Sequence, residues 1–348
     1  MGLYDKPMTV QKFRNFFTQV KKNDGHMGHA VRAIHFNYNN MCNFKCDFCY
    51  TRSSQGDHVK EELPFDKIAD FADQAHELGY YEFDLQGGEL LLRPERLYKL
   101  IETIKPERFF VIMTTNGYFV TQEVANNLAK AGMDRLSVSL NGLDPERHDK
   151  FMKMEGSHEK AMAALAYAKN AGMLAVPTIA VGHYNALSEE LEEFCKFSKE
   201  HGYITHFNLA MPSGCWQDNK DVIIDERDRE HINELRQKYD NIIYDMWNPF
   251  DKERKQLLGC NAVNRLYITP KGDVLACPFL HVKLGNIYEQ SLKEIVDYGF
   301  SIKYFSDYQD LCLAGEDKDF MDKYLVKERT IFEPLDAKEL FVEDDYVK

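Results

Sequence analysis

Three thiols fall within eight residues in Cys42-Asn-Phe-Lys-Cys46-Asp-Phe-Cys49, directly after an apolar run that reads as a strand. Eight cysteines scattered at random through 348 residues would rarely crowd in this way. A spacing of three and then two residues suits a loop wrapped around one iron–sulfur cubane. Three thiolates each hold an iron, and the fourth iron stays open to an outside ligand. Structural zinc wants four closed ligands, and no nearby His or fourth Cys completes such a set. Thiolate-rich sites accept both metals, so zinc stands as the alternative.

A second set, Cys260, Cys277 and Cys312, is more widely spread. Residues 265–269, the turn Pro270-Lys271-Gly272-Asp273 and residues 274–277 read as a hairpin. A hairpin brings its ends together, so Cys260 and Cys277 can share a centre despite sixteen intervening residues. Cys312 follows a helical stretch near residues 291–298. The plain alternative is three unrelated core thiols, since free cysteine is commonly buried. Cys195, inside a helical pattern, has no partner spacing and is read as structural.

The elements that must position these residues alternate. Strand-like runs at 33–38, 81–86, 108–114, 135–140, 175–181 and 205–211 are separated by helical patterns at 64–78, 94–104, 121–131, 157–171 and 187–201. Three of the helices stop at Gly79, Gly132 and Gly172, as a left-handed terminal residue requires. Six β/α units imply a parallel sheet, either doubly wound or barrel-like, and periodicity alone does not separate the two. An amphipathic helix near 10–21 and a polar link precede the first strand. The expected organisation is an extension (1–30), a core (31–212), a hairpin-plus-helix module (213–315) and a tail (316–348).

Composition narrows the setting. A formal charge of −13 repels phosphate backbones, so nucleic acid is not expected as a substrate. No signal-peptide apolar region opens the chain and no run of about 18 apolar residues is present to span a membrane. The expected location is the cytoplasm, where eight cysteines are not a disulfide framework.

With the Cys42–Cys49 motif and the aromatic Phe48 before its last cysteine, the chain resembles the radical S-adenosylmethionine (SAM) superfamily. That resemblance implies an α/β fold, a partial (β/α)6 TIM barrel. It also implies a 4Fe-4S cluster whose open iron chelates the amino and carboxylate groups of SAM, with Phe48 near the adenine. Further motifs extend it over residues 33–212. Gln86-Gly87-Gly88-Glu89 looks like the family's GGE motif for the SAM amino group, although Gly-Gly alone is most often a turn. Asn116, at the end of the third strand, and Ser139 and Asn141, at the end of the fourth, occupy positions that meet SAM in the family. Asx turns are an equal reading for the two asparagines. Met152 stands where an arginine is common, and Lys153 is the candidate substitute, a poorer bidentate partner for a carboxylate. The stretch from Gly259-Cys260 to Cys277-Pro278 resembles the SPASM/twitch extension. A full SPASM domain has seven cysteines, so one auxiliary 4Fe-4S cluster of the twitch type is expected on Cys260, Cys277 and Cys312.

The resemblance further implies reductive cleavage of SAM to a 5'-deoxyadenosyl radical that abstracts a substrate hydrogen, with a reductant such as flavodoxin or ferredoxin as partner. A small polar substrate, sugar or aminocyclitol-like, is preferred, because only some 30 residues precede the first strand where peptide-modifying relatives often carry a leader-recognition domain. A peptide or protein side chain is the alternative. Cys215, just beyond the sixth strand, is expected either to complete the auxiliary cluster, the favoured role, or to donate hydrogen to a substrate radical. An inert thiol beside Trp216 is the bland reading.

Overall fold

Eleven strands form one sheet in the computed structural model, which describes residues 5–53, 55, 60–253 and 255–348. The strands are β1 (Ala33–Asn37), β2 (Glu82–Gln86), β3 (Phe110–Thr115), β4 (Arg135–Ser139), β5 (Leu174–Val181), β6 (Thr205–Leu209), β7 (Ile242–Ile243), β8 (Arg265–Ile268), β9 (Asp273–Leu275), β10 (Val282–Asn286) and β11 (Leu335–Asp336). Their order is β11-β10-β9-β8-β1-β2-β3-β4-β5-β6-β7, and β8 and β1 to β7 all pair in parallel. The sheet does not close, so the barrel-like form is a partial barrel.

The helices are α1 (Pro7–Lys22), which packs on Tyr81 and Leu258, and α2 (Phe65–Leu78), α3 (Pro94–Thr103), α4 (Gln122–Ala131), α5 (Pro145–Met152), α6 (Ser157–Asn170), α7 (Glu189–Glu200), α8 (Glu226–Lys238) and α9 (Leu292–Ser301), with short helical turns besides. Side-chain caps start several of them. Thr121, Asp144 and Ser188 each accept the backbone N–H three residues on, and Asp225 and Ser291 form capping boxes with Asp228 and Glu294. Gly79 and Gly132 end α2 and α4 at φ 98° and 107°.

The pleat sorts the strand residues into two sets. Ile34, Phe36, Phe83, Leu85, Val111, Met113, Leu136 and Val138 are buried in the apolar layer shared with the helices. The alternating positions His35, Asp84, Ile112, Thr114, Ser137, Thr178 and His206 line an interior cavity. That inner face explains polar residues in strands otherwise built to be buried.

Two features differ from the sequence expectation. The hairpin β8–β9 is antiparallel as expected, but β8 also joins β1, from Ala33↔Arg265 to Phe36↔Ile268. It therefore extends the barrel's own sheet. Alternation reveals a strand and not its partner, so this pairing was invisible in the text. Residues expected as a tail are packed: β11 pairs with β10, and Tyr324 and Phe341 join the main core.

The N-terminal helix is likewise tied down. Lys6 is almost wholly buried; its ammonium donates to the carbonyls of Phe109 and Gly132 and ion-pairs with Asp134. Burial pushes the Lys6 pKa down and that of Asp134 up, so desolvation opposes the pair's charges while their contact sustains them.

Candidate functional site: two cysteine sets on one cavity

The loop carrying Cys42, Cys46 and Cys49 leaves β1 and is pinned to the end of β2. Gly88 N donates to Asn39 O at 2.8 Å and Glu89 N to Met41 O at 2.7 Å. A Cβ on Gly88 would lie 1.9 Å from Met41 O, and one on Gly87 2.5 Å from Asn39 O. The two glycines thus serve a close approach of backbone to backbone within the chain.

Glu89 is buried and answers to the chain's own donors. Its carboxylate accepts from Leu91 N (3.1 Å), Asn116 N (2.9 Å) and the Thr115 hydroxyl (2.9 and 3.0 Å). Burial raises its pKa against these bonds. Asn116 Nδ2 donates to Asn43 Oδ1 at 2.9 Å, joining β3's end to the cysteine loop, while its Oδ1 accepts from Tyr118 N in an Asx turn. Asn141 Oδ1 accepts from Ala180 N at 2.8 Å and so pins β5. Ser139 faces the cavity beside it. Lys153, at φ 53° after α5, ion-pairs with Asp47 inside the cysteine loop. The expected SAM contacts of Glu89, Asn141 and Lys153 therefore compete with intramolecular partners already in place.

The three thiols face one cavity of about 280 Å³. Phe44 N donates to Cys42 Sγ at 3.4 Å and Ser53 N to Cys49 Sγ at 3.3 Å. Burial pushes the Cys42 thiol up to about 12, with Phe44 N–H opposing and the neighbouring Glu89 and Cys49 adding to it. Cys46 is raised by burial and by Cys49 and Cys42. Thiols so crowded ionise together only around a cation, which the donor set fits. Phe48 stacks on Phe151 (4.8 Å, 15°) with Trp216 6.0 Å away, an aromatic wall at the same cavity.

Cys260, Cys277 and Cys312 line the same cavity. Burial raises each thiol; Cys260 further raises Cys277 and Cys312. Backbone N–H groups of Phe279 and Leu280 reach Cys277, and those of Ala262 and Leu313 reach Cys260. Amides aimed at clustered sulfurs suit a thiolate-ligated centre here too.

Cys215 is placed elsewhere. Its N–H donates to Cys49 O at 3.0 Å, and its thiol accepts from Gln55 Nε2 at 3.6 Å. It stands beside the first cysteine loop, and its described hydrogen bonds run to that loop and to Gln55. Gly214, at φ 58°, packs so tightly that a Cβ would meet Cys49 O and Tyr50 at 2.4 Å, which sets the direction of this segment. Cys195 lies in the apolar core, as read.

Sequence reasoning missed the cavity's floor. Asp245, on the segment between β7 and β8, pairs with Arg265 and lies 3.6 Å from His206 and 3.9 Å from Arg32. It spans the open side of the barrel, while Arg32 also holds Glu82 at 3.1 Å. The signal was present as polar residues at every second position of Glu82-Phe-Asp-Leu-Gln86 and Arg135-Leu-Ser-Val-Ser139.

Comparison with known proteins gives this site its family. The Radical SAM superfamily model matches residues 36–198 and the SPASM iron-sulfur cluster-binding domain matches residues 260–313. The chain belongs to the radical SAM superfamily and is an enzyme with a C-terminal SPASM module. It is 26% identical to the AdoMet-dependent heme synthase of Methanosarcina barkeri over 77% of this chain and 83% of that one. It is 28% identical to the PqqA peptide cyclase of Rhizobium meliloti over 73% and 70%. Its fold is similar to Streptococcus suis SuiB, solved bound to S-adenosylmethionine, with TM-score 0.62, 16% identity, and coverage of 96% of this chain and 82% of that one. SuiB has also been solved bound to its precursor peptide SuiA.

Proposed function

We propose that the protein is a radical SAM enzyme that modifies a peptide, and that the preference for a sugar-like small molecule is to be given up. The single observation carrying this reading is that both cysteine sets open onto one cavity, so a substrate lies between them. The likeness to the PqqA peptide cyclase and to SuiB with its precursor peptide turns the choice toward peptides.

In this reading Cys42, Cys46 and Cys49 hold the 4Fe-4S cluster that binds SAM, and Cys260, Cys277 and Cys312 hold an auxiliary cluster. When bound, the cluster and SAM supply hydrogen-atom abstraction after one-electron cleavage of SAM. The chain's own part is to seat them. Gly87 and Gly88 bring the cysteine loop against β2, Phe48 offers an aromatic face, and Ser139 offers a hydroxyl at the rim. Enclosure by both walls keeps water from the reacting atoms. The core over 31–212 and the module over 213–315 are divided by chemistry, since one sheet joins them. A flavodoxin or ferredoxin is the proposed reductant and the cytoplasm the proposed location. Among the described residues no helix is long and apolar enough to cross a membrane.

Anaerobic reconstitution with SAM and dithionite tests this. A deuterated substrate peptide should pass its label into 5'-deoxyadenosine, and deuterated sugars should not. Replacing Cys42, Cys46 and Cys49 by Ala should remove about four irons, end SAM cleavage and leave the auxiliary EPR signal. Label transfer from a sugar instead would overturn the peptide reading.

A further inference from the structure

Three guanidiniums and three carboxylates face the floor of the cavity: Arg32, Arg135 and Arg265 with Glu82, Asp84 and Asp245. Two ion pairs account for four of them, Arg32 with Glu82 and Arg265 with Asp245. Asp84 and Arg135 are left, both at the β2–β3–β4 level marked by Asp84↔Ile112↔Arg135.

Each keeps one side unspent. Asp84 Oδ2 accepts from Gln86 Nε2 at 3.0 Å and lies 3.5 Å from His35 Nδ1, but the buried Oδ1 has no partner among the described residues. Asp84 is 7% exposed. Arg135 uses Nε on Ser137 Oγ (2.9 Å) and one terminal nitrogen on His206 Nδ1 (3.1 Å), which leaves the other terminal nitrogen to the cavity. The Thr178 hydroxyl, 4% exposed, also lacks a partner on the same lining. An unmade hydrogen bond on a buried polar atom costs about 1–3 kcal/mol, so these are places where a ligand gains.

We propose that the floor between Asp84 and Arg135 is a substrate subsite for a neutral amide, whose N–H donates to Asp84 Oδ1 while its carbonyl accepts from Arg135. The inference rests on the peptide reading and deepens it. A trans peptide group points its N–H and C=O in opposite directions, which suits an acceptor on β2 and a donor on β4, two strands apart on the same lining. Two strand spacings, roughly 10 Å between backbones, leave room for it beside the intervening Ile112. With the other four charges paired and these two opposite in sign, the floor has no net charge to offer an ion.

The test uses the reconstituted holoprotein with SAM and three probes: N-acetylglycine N-methylamide, propionamide and propionate, each titrated by ligand-observed NMR. The secondary amide should bind best. Asp84→Ala and Arg135→Met should each weaken it about tenfold, the loss of one hydrogen bond to a charged group. Arg135→Lys should restore part of the loss, and melting temperatures identify any variant that has failed to fold. Stronger binding of propionamide would keep the amide chemistry and assign it to an Asn or Gln side chain. Tighter binding of propionate, no binding by wild type, or affinity unchanged in both folded variants would overturn the proposal. Amide binding without label transfer from any peptide would sink the peptide reading alone; label transfer without amide binding would sink only this subsite.

Discussion

The amide of Cys215 donates its hydrogen to the carbonyl of Cys49 at 3.0 Å, so a cysteine from the end of the barrel is bonded through its backbone to the first cluster loop. Because that bond is a main-chain one, the thiol itself is dispensable to it.

Cys215→Ala should therefore keep iron at both centres, with the auxiliary EPR signal intact. Gly214→Ala should not, since its Cβ would enter the Cys49 and Tyr50 backbone at 2.4 Å from a φ of 58°. Iron content and EPR after anaerobic reconstitution compare the two. Loss of the auxiliary signal in Cys215→Ala would make Cys215 a ligand.

Glu89→Ala strips an acceptor from the amides of Leu91 and Asn116 and from the Thr115 hydroxyl. Destabilisation on the order of 3 kcal/mol is expected from these orphaned buried donors. Urea unfolding measures it. Unchanged stability with weakened SAM binding would assign Glu89 to SAM alone.

Asp84 links stability to pH. Burial, the largest cause, raises its pKa to about 6 from 3.8, so the folded state binds the proton more tightly than the unfolded chain does. Its contribution is most favourable below pH 4 and is lost as pH rises through 6. Between pH 4.5 and 7.5 the loss is about 2 kcal/mol, and Asp84→Asn should abolish it. Parallel urea titrations of the two proteins at these pH values decide; equal slopes would refute it.

Lys6→Met should cost about 3–5 kcal/mol by leaving Asp134 buried without its cation. Adding Asp134→Leu should recover the part due to the unpaired charge but not the part due to the Phe109 and Gly132 carbonyls and the Val111 amide left without these partners. Thermal melts of the single and double variants provide the check, and additive losses would count against the pair.

Much of the framework was legible in the text. All six first strands lie within two residues of their expected ends, because an apolar face and glycine stops mark them locally. The first cysteine set was legible as a ligand type at fixed spacing, whereas the second rested on the hairpin reading and the family resemblance. What the text concealed was pairing across distance. Lys6 meeting Asp134, Asp245 meeting Arg265, and Cys215 meeting Cys49 each join residues far apart in sequence. The motif marked Glu89 but hid the donors that surround it, the amides of Leu91 and Asn116 and the Thr115 hydroxyl.

The ladder between β8 and β1 carries one last consequence. Hydrogen bonds from Ala33 to Phe36 tie the strand that leads into Cys42 to the strand that follows Cys260. The two sulfur-bearing walls are thus members of one lattice and cannot swing apart on a hinge without tearing it. If the proposed peptide enters here, the gap between them sets a fixed span for it.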